Sequence, residues 1–283
     1  MRRPSVLAAA CVAVLLLACR SNDAGSSRAA LVKAEALPED LRAVWDAYRR
    51  GGATWEVERE RVRADPKRAQ FLVDNCVIEL VRAYDRSALA TAGHAPGRFE
   101  RAQAELVLHA DCATPVLVEL LEKGDGIVAF LAADTLVRIG APAVVPTAEK
   151  LASGESDVRR RAAELLARLP ADPEHEPQVL ERLGACTEKD PEWIVRAQAA
   201  LALGARGRVH AHKGYALAVL TRALADSDPA VSSSACNALA ALGETRAIPA
   251  LQRALDRSVR DGDLKLRAAA KSALAALADP SAH

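Results

Sequence analysis

Residues 192–207 read EWIVRAQAALALGARG, and this stretch decides the fold of the chain. Val195, Ala199 and Leu203 stand four residues apart, and the 3.6-residue period of an α-helix places them on one face. Gly207 follows this run, and glycine commonly ends a helix. The stretch therefore predicts a helix whose buried face is made of small and branched apolar side chains.

The same pattern occurs five times along the chain. Each copy has an apolar anchor, and successive anchors are 30 to 37 residues apart. The anchors are Val128, Val158, Val195, Val231 and Leu266. Apolar residues stand four, eight and eleven positions after each anchor. The one exception is Arg206, eleven positions after Val195. A second apolar run follows the first four copies, at 143–151, 178–183, 216–224 and 247–255. Self-similarity at this period predicts an array of helix–turn–helix repeats.

An acidic residue stands three positions before every anchor. These residues are Asp125, Glu155, Glu192, Asp228 and Asp263. We expect each of them to accept hydrogen bonds from backbone N–H groups that the start of a helix leaves unpaired. An arginine follows the acid by four residues in three copies, as Arg159, Arg196 and Arg267, which predicts ion pairs along the helix. We interpret this pattern as capping and surface pairing rather than as ligand binding.

The repeats resemble the HEAT-like repeat first described in phycobilin lyases. The resemblance is carried by Val195-Arg196, Ala199-Ala200, Ala202-Leu203-Gly204 and Gly207, and by equivalent residues of the second and fourth copies. It covers residues 125–280 and extends less regularly back to about residue 99. The resemblance implies an all-α fold, a right-handed α-solenoid of helix–turn–helix repeats over 99–280, whose second helices would line a concave surface. Lys271 replaces a usual alanine in the last copy, which suits a terminal repeat with a polar outer face.

Composition agrees with this fold class and limits the function. Only 3% of the residues are aromatic, and alanine is the most frequent type, which favours helices over strands. The formal net charge of +1 at pH 7 excludes a strong field of one sign. Nucleic-acid binding through a basic surface is therefore not expected as the main role.

The first residues predict a targeting signal rather than a part of the folded domain. Arg2 and Arg3 precede the apolar run 6–18, which is too short to span a bilayer and fits a secretory signal. Leu16-Leu17-Ala18-Cys19 resembles the bacterial lipobox, in which the cysteine is acylated and becomes the new N-terminus. This resemblance implies a signal peptide over 1–18, lipid attachment at Cys19 and a flexible tether over 19–37. Since the next residue is Arg20, the periplasmic face of the outer membrane is favoured over the inner membrane.

Residues 38–98 differ from the repeats and predict an N-terminal helical cap region. Leu41, Val44, Trp45 and Tyr48 share one helical face, and Asp65-Pro66 opens another helix. A segment of about 60 residues buries little core alone, so this region is expected to be part of the array rather than a separate domain. Most of its tryptophan and tyrosine side chains are expected in the core.

Four cysteines remain after the signal and Cys19. They are Cys76, Cys112, Cys186 and Cys236, and none forms a C-x-x-C pair. Cys236 stands at a small-residue core position, where a thiol behaves as a small hydrophobe. Cys76 and Cys112 are on neighbouring helical units, and whether they form a disulfide stays open.

Motifs for catalysis are weak in this chain. His210 and His212 could offer two imidazoles to a metal. Di-iron HEAT-like hydroxylases use several His-Glu pairs, but this chain has one such dipeptide, His175-Glu176, which cannot hold two irons. We assign no catalytic residue, no metal ligand and no cofactor, and we expect no small-molecule substrate. The basic run 159–161 is interpreted as a solvated helix face.

These observations favour a non-catalytic scaffold or adaptor that presents a concave solenoid surface to a protein or peptide partner. Seven residues are the candidate contacts: Trp193, Arg222, Gln252, Arg253, Glu149, Lys150 and Arg182. Two alternatives stay open. One is a HEAT-like enzyme or metal-dependent protein of the oxidoreductase or lyase type, using the loop with His210 and His212. The other is a purely structural envelope protein.

Overall fold

The computed structural model describes residues 38–84, 97–208 and 212–278. Within these ranges the chain forms fourteen α-helices, short 3-10 turns and no strand, so the predicted all-α class is confirmed. No helix in this part of the chain is both long and apolar enough to cross a membrane. The predicted signal peptide, Cys19, the tether and His210 lie outside the described residues.

Contacts between Cα atoms divide the chain into two compact units, residues 1–143 and 144–283. The helices of unit 1 are α1 (Glu39–Arg50), α2 (Gly52–Ala64), α3 (Pro66–Tyr84), α4 (Arg98–Leu108), α5 (Ala110–Lys123) and α6 (Gly126–Ile139). Helix α3 packs on α1, α2, α4 and α5, and α6 packs on α4 and α5. Leucine side chains such as Leu72, Leu106 and Leu117 are fully buried between them. The predicted boundary at residue 98 therefore falls between two helices that pack on each other.

A buried carboxylate joins α2 to α4 in unit 1. Glu105 accepts a hydrogen bond of 2.7 Å from Trp55 Nε1 and one of 2.8 Å from Arg59 Nη2. Tyr48 packs edge-on against Trp55, with ring centroids 5.5 Å apart. Tyr48 and Trp55 are both buried, as predicted for the aromatic residues of this region, whereas Trp45 is half-buried.

Unit 2 contains alternating first and second helices. The second helices are α7 (Val144–Glu149), α9 (Glu176–Lys189), α11 (Lys213–Ala223) and α13 (Ile248–Asp261), and the first helices are α8 (Ser156–Arg168), α10 (Trp193–Arg206), α12 (Pro229–Leu242) and α14 (Leu264–Ala278). Each first helix packs on the next one, and α7, α9 and α11 pack in the same serial way. This arrangement confirms the helix–turn–helix repeats in register.

The core positions of the repeats are buried as predicted. Every anchor of unit 2 is buried, and Cys236 is fully buried in α12. A Cβ atom added to Gly204 would stand 2.7 Å from the Cβ of Ala238, so the absent side chain allows α10 and α12 to approach closely. Lys271 is exposed at the position where Ala200 and Cys236 are buried.

The acidic residues before the anchors divide by type. Asp125, Asp228 and Asp263 accept hydrogen bonds of 2.8–3.1 Å from backbone N–H groups of the first turn. Glu155 and Glu192 make no side-chain capping bond, although they occupy the same position. The glutamate side chain is one methylene longer, and the shorter aspartate is the preferred cap.

The ion pairs predicted along the helices are wrong for Arg159 and Arg196. Arg159 instead pairs with Asp190, and Arg196 pairs with Asp226, each of which lies in the loop that leads into the next first helix. These loops offer a carboxylate in a planar, two-bond geometry, which suits a guanidinium better than a flexible glutamate on the same helix.

All four described cysteines are free thiols, so Cys76 and Cys112 are not joined. Burial raises the pKa of the Cys186 thiol to about 11 and that of Cys236 to about 12. Both thiols are therefore protonated at neutral pH and behave as small apolar side chains.

Candidate functional site

The exposed side chains of α7, α9, α11 and α13 form what we call the second-helix surface of unit 2. Five candidate contact residues are exposed there and one, Lys150, is half-buried. The five exposed residues are Glu149, Arg182, Arg222, Gln252 and Arg253. Only one face of each helix is needed for packing, which leaves the opposite face of the second helices in contact with solvent.

Arginines on this surface reach from one repeat to the preceding one. Arg182 Nη1 donates to the carbonyl oxygen of Ala148 at 3.4 Å, and Arg257 Nη2 donates to the carbonyl oxygen of Leu224 at 2.6 Å. Arg222 Nε donates to Glu188 Oε1 at 2.6 Å. These bonds fix the arginine stems while the surface stays polar.

Tyr215 is the aromatic residue of this surface. Its ring lies on Gly184 of α9, and a Cβ atom at residue 184 would overlap the tyrosine hydroxyl. The side chain is nevertheless 42% exposed. Partial burial raises the pKa of the Tyr215 hydroxyl, and the carboxylates of Glu188 and Glu181 raise it further. The hydroxyl is therefore a neutral donor beside two carboxylates.

A groove of about 340 Å³ lies between the C-terminal ends of α9 and α11. Its lining is Thr187, Glu188, Arg222, Ala223, Ala225 and Asp226. All three of its charged groups are already paired, because Glu188 binds Arg222 and Asp226 binds Arg196. The groove is therefore polar at its rim and close to electrically neutral, and it is open to a side chain of a partner.

The structure brings some candidate residues together and separates others. Arg182 bonds the backbone one residue before Glu149, and Arg222 faces the groove. Gln252 and Arg253 are adjacent on α13, and neither makes a side-chain hydrogen bond within the described residues. Trp193 is 45% exposed as expected, but it begins a first helix and so does not belong to the second-helix surface.

Two functional candidates were missed by reasoning from the sequence. Tyr215 and Glu188 face the same region as Arg222, yet neither belongs to a motif. The one available signal was an isolated tyrosine in the second run of the third repeat. Its partner Gly184 could not be identified, because a glycine inside a helix has several explanations.

Among the histidine and glutamate residues considered as metal ligands, His175 and Glu176 bind other side chains. No group of three or more His, Cys, Asp or Glu side chains among the described residues could hold a metal ion. His175 Nδ1 lies 2.8 Å from Asp172 Oδ2, and Glu176 is buried in an ion pair with Arg206. His212 is half-buried at the start of α11. The His-Glu dipeptide is therefore part of the packing.

The basic run 159–161 is not a free cationic cluster. Arg159 binds Asp190 with two hydrogen bonds, and Arg160 lies 3.2 Å from Glu164 on the same helix. These pairs offset the positive charge that the sequence concentrates there. The prediction of a solvated helix face is wrong for Arg159, because its side chain is only 11% exposed and binds the loop of the next repeat.

The model of a known protein family matches these repeats. The family is described as HEAT repeats, and its matches cover residues 114–204 and 180–275, together more than half of the chain. The chain belongs to the HEAT repeat family. Repeat solenoids of this kind commonly serve as scaffolds for protein interactions. No curated protein matches the HEAT repeat chain described here.

Solved structures similar to this HEAT repeat chain include two engineered proteins and a designed armadillo repeat protein. One engineered protein shares 22% identity, with a TM-score of 0.45 over 73% of this chain and 96% of the other. A second engineered protein shares 21% identity, with a TM-score of 0.44 over 95% and 78% of the two chains. A designed armadillo repeat protein shares 18% identity, with a TM-score of 0.42 over 72% and 98%.

Proposed function

We propose that this chain is a non-catalytic scaffold of the bacterial envelope, which binds a protein or peptide through its second-helix surface. The proposal is supported by the family, since HEAT repeats present extended surfaces to protein partners. It is carried above all by one observation, the groove of about 340 Å³ that Glu188, Arg222 and Asp226 line between the ends of α9 and α11.

The chemistry around the groove suits recognition of a peptide. Tyrosine supplies a large apolar contact and a hydroxyl at little conformational cost, and tyrosine and arginine are enriched among the residues that dominate binding energy. The pair formed by Glu188 and Arg222 offers an acceptor and a donor at the rim. A partner that inserts an apolar or polar side chain into the groove would bury this rim and strengthen the ion pair by excluding water.

Anchoring at the envelope rests on the sequence of the N-terminal segment. The lipobox-like Leu16-Leu17-Ala18-Cys19 follows an apolar run, and acylation of Cys19 would tether the folded chain to a membrane. Export through a signal peptide would agree with this. We favour the periplasmic face of the outer membrane.

Cross-linking in native membranes tests this function. We expect a reproducible protein partner to co-purify with the wild type and to be lost or relocated with Cys19→Ala, because the variant has no site for the lipid. Membrane fractionation measures how much of the wild type and of Cys19→Ala remains with the membrane. A Cys19→Ala chain that remains in the membrane with its partner would contradict the anchor, and a wild type that brings down no partner would contradict the scaffold.

A metal-dependent function is the second candidate, based on His212 and on His210 outside the described residues. Elemental analysis of the purified full chain decides it. Stoichiometric iron or zinc that is lost in His212→Ala would favour this candidate over the scaffold.

A further inference from the structure

Two consecutive repeats of unit 2 contain the same arginine–aspartate arrangement. Arg159 donates from Nε and Nη2 to both carboxylate oxygens of Asp190, at 2.7 and 2.8 Å. Arg196 donates in the same way to Asp226, at 2.8 and 3.0 Å. Each Nη1 donates to two carbonyl oxygens of its own loop, at 2.9 to 3.2 Å. The arginine therefore connects its own loop to the loop of the following repeat.

The arrangement has a fixed register in the sequence. The arginine stands one residue after an anchor, and the aspartate stands five residues before the next anchor. In the fourth copy the first position is Ser232, whose hydroxyl donates to backbone carbonyl oxygens instead. The corresponding aspartate, Asp261, is exposed and takes part in no ion pair within the described residues. A carboxylate of a following repeat is thus the natural partner of an arginine at this position.

Arg267 is the arginine of the last copy. Its Nε atom is buried and has no hydrogen-bond partner. No later helix within the described residues supplies a carboxylate, and Asp263, four residues earlier, is used as the helix cap. A buried donor without a partner is costly in a folded protein, so this atom indicates a missing acceptor.

The open side of α14 carries the charge that an acidic partner needs. In α10 the residues Arg196, Ala200 and Gly204 form the row that faces the next repeat, since Arg196 reaches Asp226 and Gly204 packs on Ala238. The same row in α14 is Arg267, Lys271 and Ala275. Helix α14 contains Lys265, Arg267 and Lys271 and no acidic residue.

An apolar residue stands at the start of this face. Leu264 is 71% exposed, the most exposed of the large apolar side chains among the described residues. The side of α14 that carries this row therefore combines two cations, Arg267 and Lys271, with Leu264 and small residues that permit close approach, while Lys265 points to another side of the helix and Asp263 caps its start. We call the exposed side chains of α14 the end surface.

We propose that the end surface binds an acidic segment of a partner protein, in which an Asp or Glu side chain accepts two hydrogen bonds from Arg267 as Asp226 does from Arg196. Lys271 attracts the segment electrostatically, and an apolar residue of the segment covers Leu264. This interaction uses a different surface from that of the proposed function, so either can fail alone.

Selection from a random 12-residue peptide display library tests the proposal on the purified full chain. We expect the enriched peptides to contain more Asp and Glu than the library. We also expect their affinity to fall at least tenfold with Arg267→Gln, because a two-bond carboxylate contact is lost. Arg63→Gln removes an exposed arginine of unit 1, far in the sequence from both surfaces, and is the matched control, with unchanged affinity.

Each other outcome counts against the proposal. Peptides without acidic enrichment, equal affinity for Arg267→Gln, or no enriched peptide at all would overturn it. If the selected peptides no longer bind the double variant Arg222→Glu with Arg253→Glu but still bind Arg267→Gln, the result supports the proposed function and overturns this inference. Binding to phosphatidylglycerol vesicles with no selected peptide would assign the surface to lipid instead. Helical circular dichroism of every variant confirms that the chain is folded.

Discussion

Arg206 and Glu176 form an ion pair in the interior of unit 2, with Arg206 Nε donating to Glu176 Oε1 at 2.8 Å. Both side chains are almost fully buried. Arg206 also donates to the carbonyl oxygens of Leu166 and Leu169 at the end of α8. The other repeats have an apolar residue at this position. At this position the third repeat has a polar connection to both helices of the second repeat in place of an apolar contact.

We predict that Arg206→Leu destabilises the chain by about 3–5 kcal/mol, because it leaves a buried carboxylate without compensation. Urea denaturation followed by circular dichroism measures the free energy of unfolding. Glu176→Leu in the same chain should recover part of the loss, since the isolated charge is gone. Arg253→Leu, at an exposed site, is the control and should change stability by less than about 0.5 kcal/mol. If Arg206→Leu alone is as stable as Arg253→Leu, the ion pair does not stabilise the chain and the prediction is wrong.

The aspartates of the loops should differ in importance according to their arginine partners. Asp226→Asn should lower the free energy of unfolding by about 1–3 kcal/mol, because the charge-assisted bonds to Arg196 are weakened. Asp261→Asn should have little effect, as Asp261 has Ser232 where the other repeats have arginine. Equal losses in the two variants, measured by urea denaturation, would contradict this role for the arginine.

Restoring the missing arginine gives the reverse prediction. Ser232→Arg should raise the free energy of unfolding by up to about 1 kcal/mol, because the new side chain can bind Asp261. The double variant Ser232→Arg with Asp261→Asn separates pairing from any other effect of the long side chain. A gain that persists in the double variant would show that the ion pair is not its cause.

The free energy of unfolding should fall at low pH because the Asp226 carboxylate becomes protonated. Burial alone would raise the pKa of this carboxyl, but bonds from Arg196 and from the N–H of Asp228 outweigh burial and hold the pKa below its usual value of 3.8. A lowered folded pKa means that the stabilisation is complete above the usual value and is lost as the pH falls through the folded one. Wild type should therefore lose stability below about pH 4 more steeply than Asp226→Asn. Parallel curves for the two proteins would contradict this assignment.

Gly184 should be essential for the placement of Tyr215. Gly184→Ala adds a methyl group where the tyrosine hydroxyl lies, so we expect the ring to be displaced and its fluorescence and pKa to change. Tyr215→Ala together with Gly184→Ala should be more stable than Tyr215→Ala alone by about 1 kcal/mol, since alanine favours the helix. Unchanged titration of Tyr215 in Gly184→Ala would contradict the contact.

The helices could be predicted from the sequence because their signals are local. The anchors, the apolar period and the glycine at residue 207 lie within one helix length, so Val195 and Leu203 were identified as core residues. The partner of Arg159 could not be predicted in the same way. Asp190 is 31 residues away and becomes its neighbour only when the repeats stack. Proximity in the sequence pointed to Glu155 instead.

The candidate surface was predictable in part for the same reason. Exposed positions such as Arg222 and Arg253 follow from the helical period of each second helix. The groove beside Arg222 depends on how α9 and α11 pack, and Tyr215 depends on a glycine in the preceding repeat. Glu176 is buried because Arg206, 30 residues later, binds it there, and no residue near Glu176 in the sequence indicates this burial.

The central claim is that the second-helix surface binds a protein partner, and charge reversal in native membranes tests it most directly. Wild type, the double variant Arg222→Glu with Arg253→Glu, and the control Arg63→Glu in unit 1 are cross-linked, purified and compared by mass spectrometry. We predict that one partner co-purifies with wild type and the control and is at least tenfold depleted in the double variant, with equal circular dichroism for all three. A partner that remains with the double variant, or no partner with any of the three, would contradict the account.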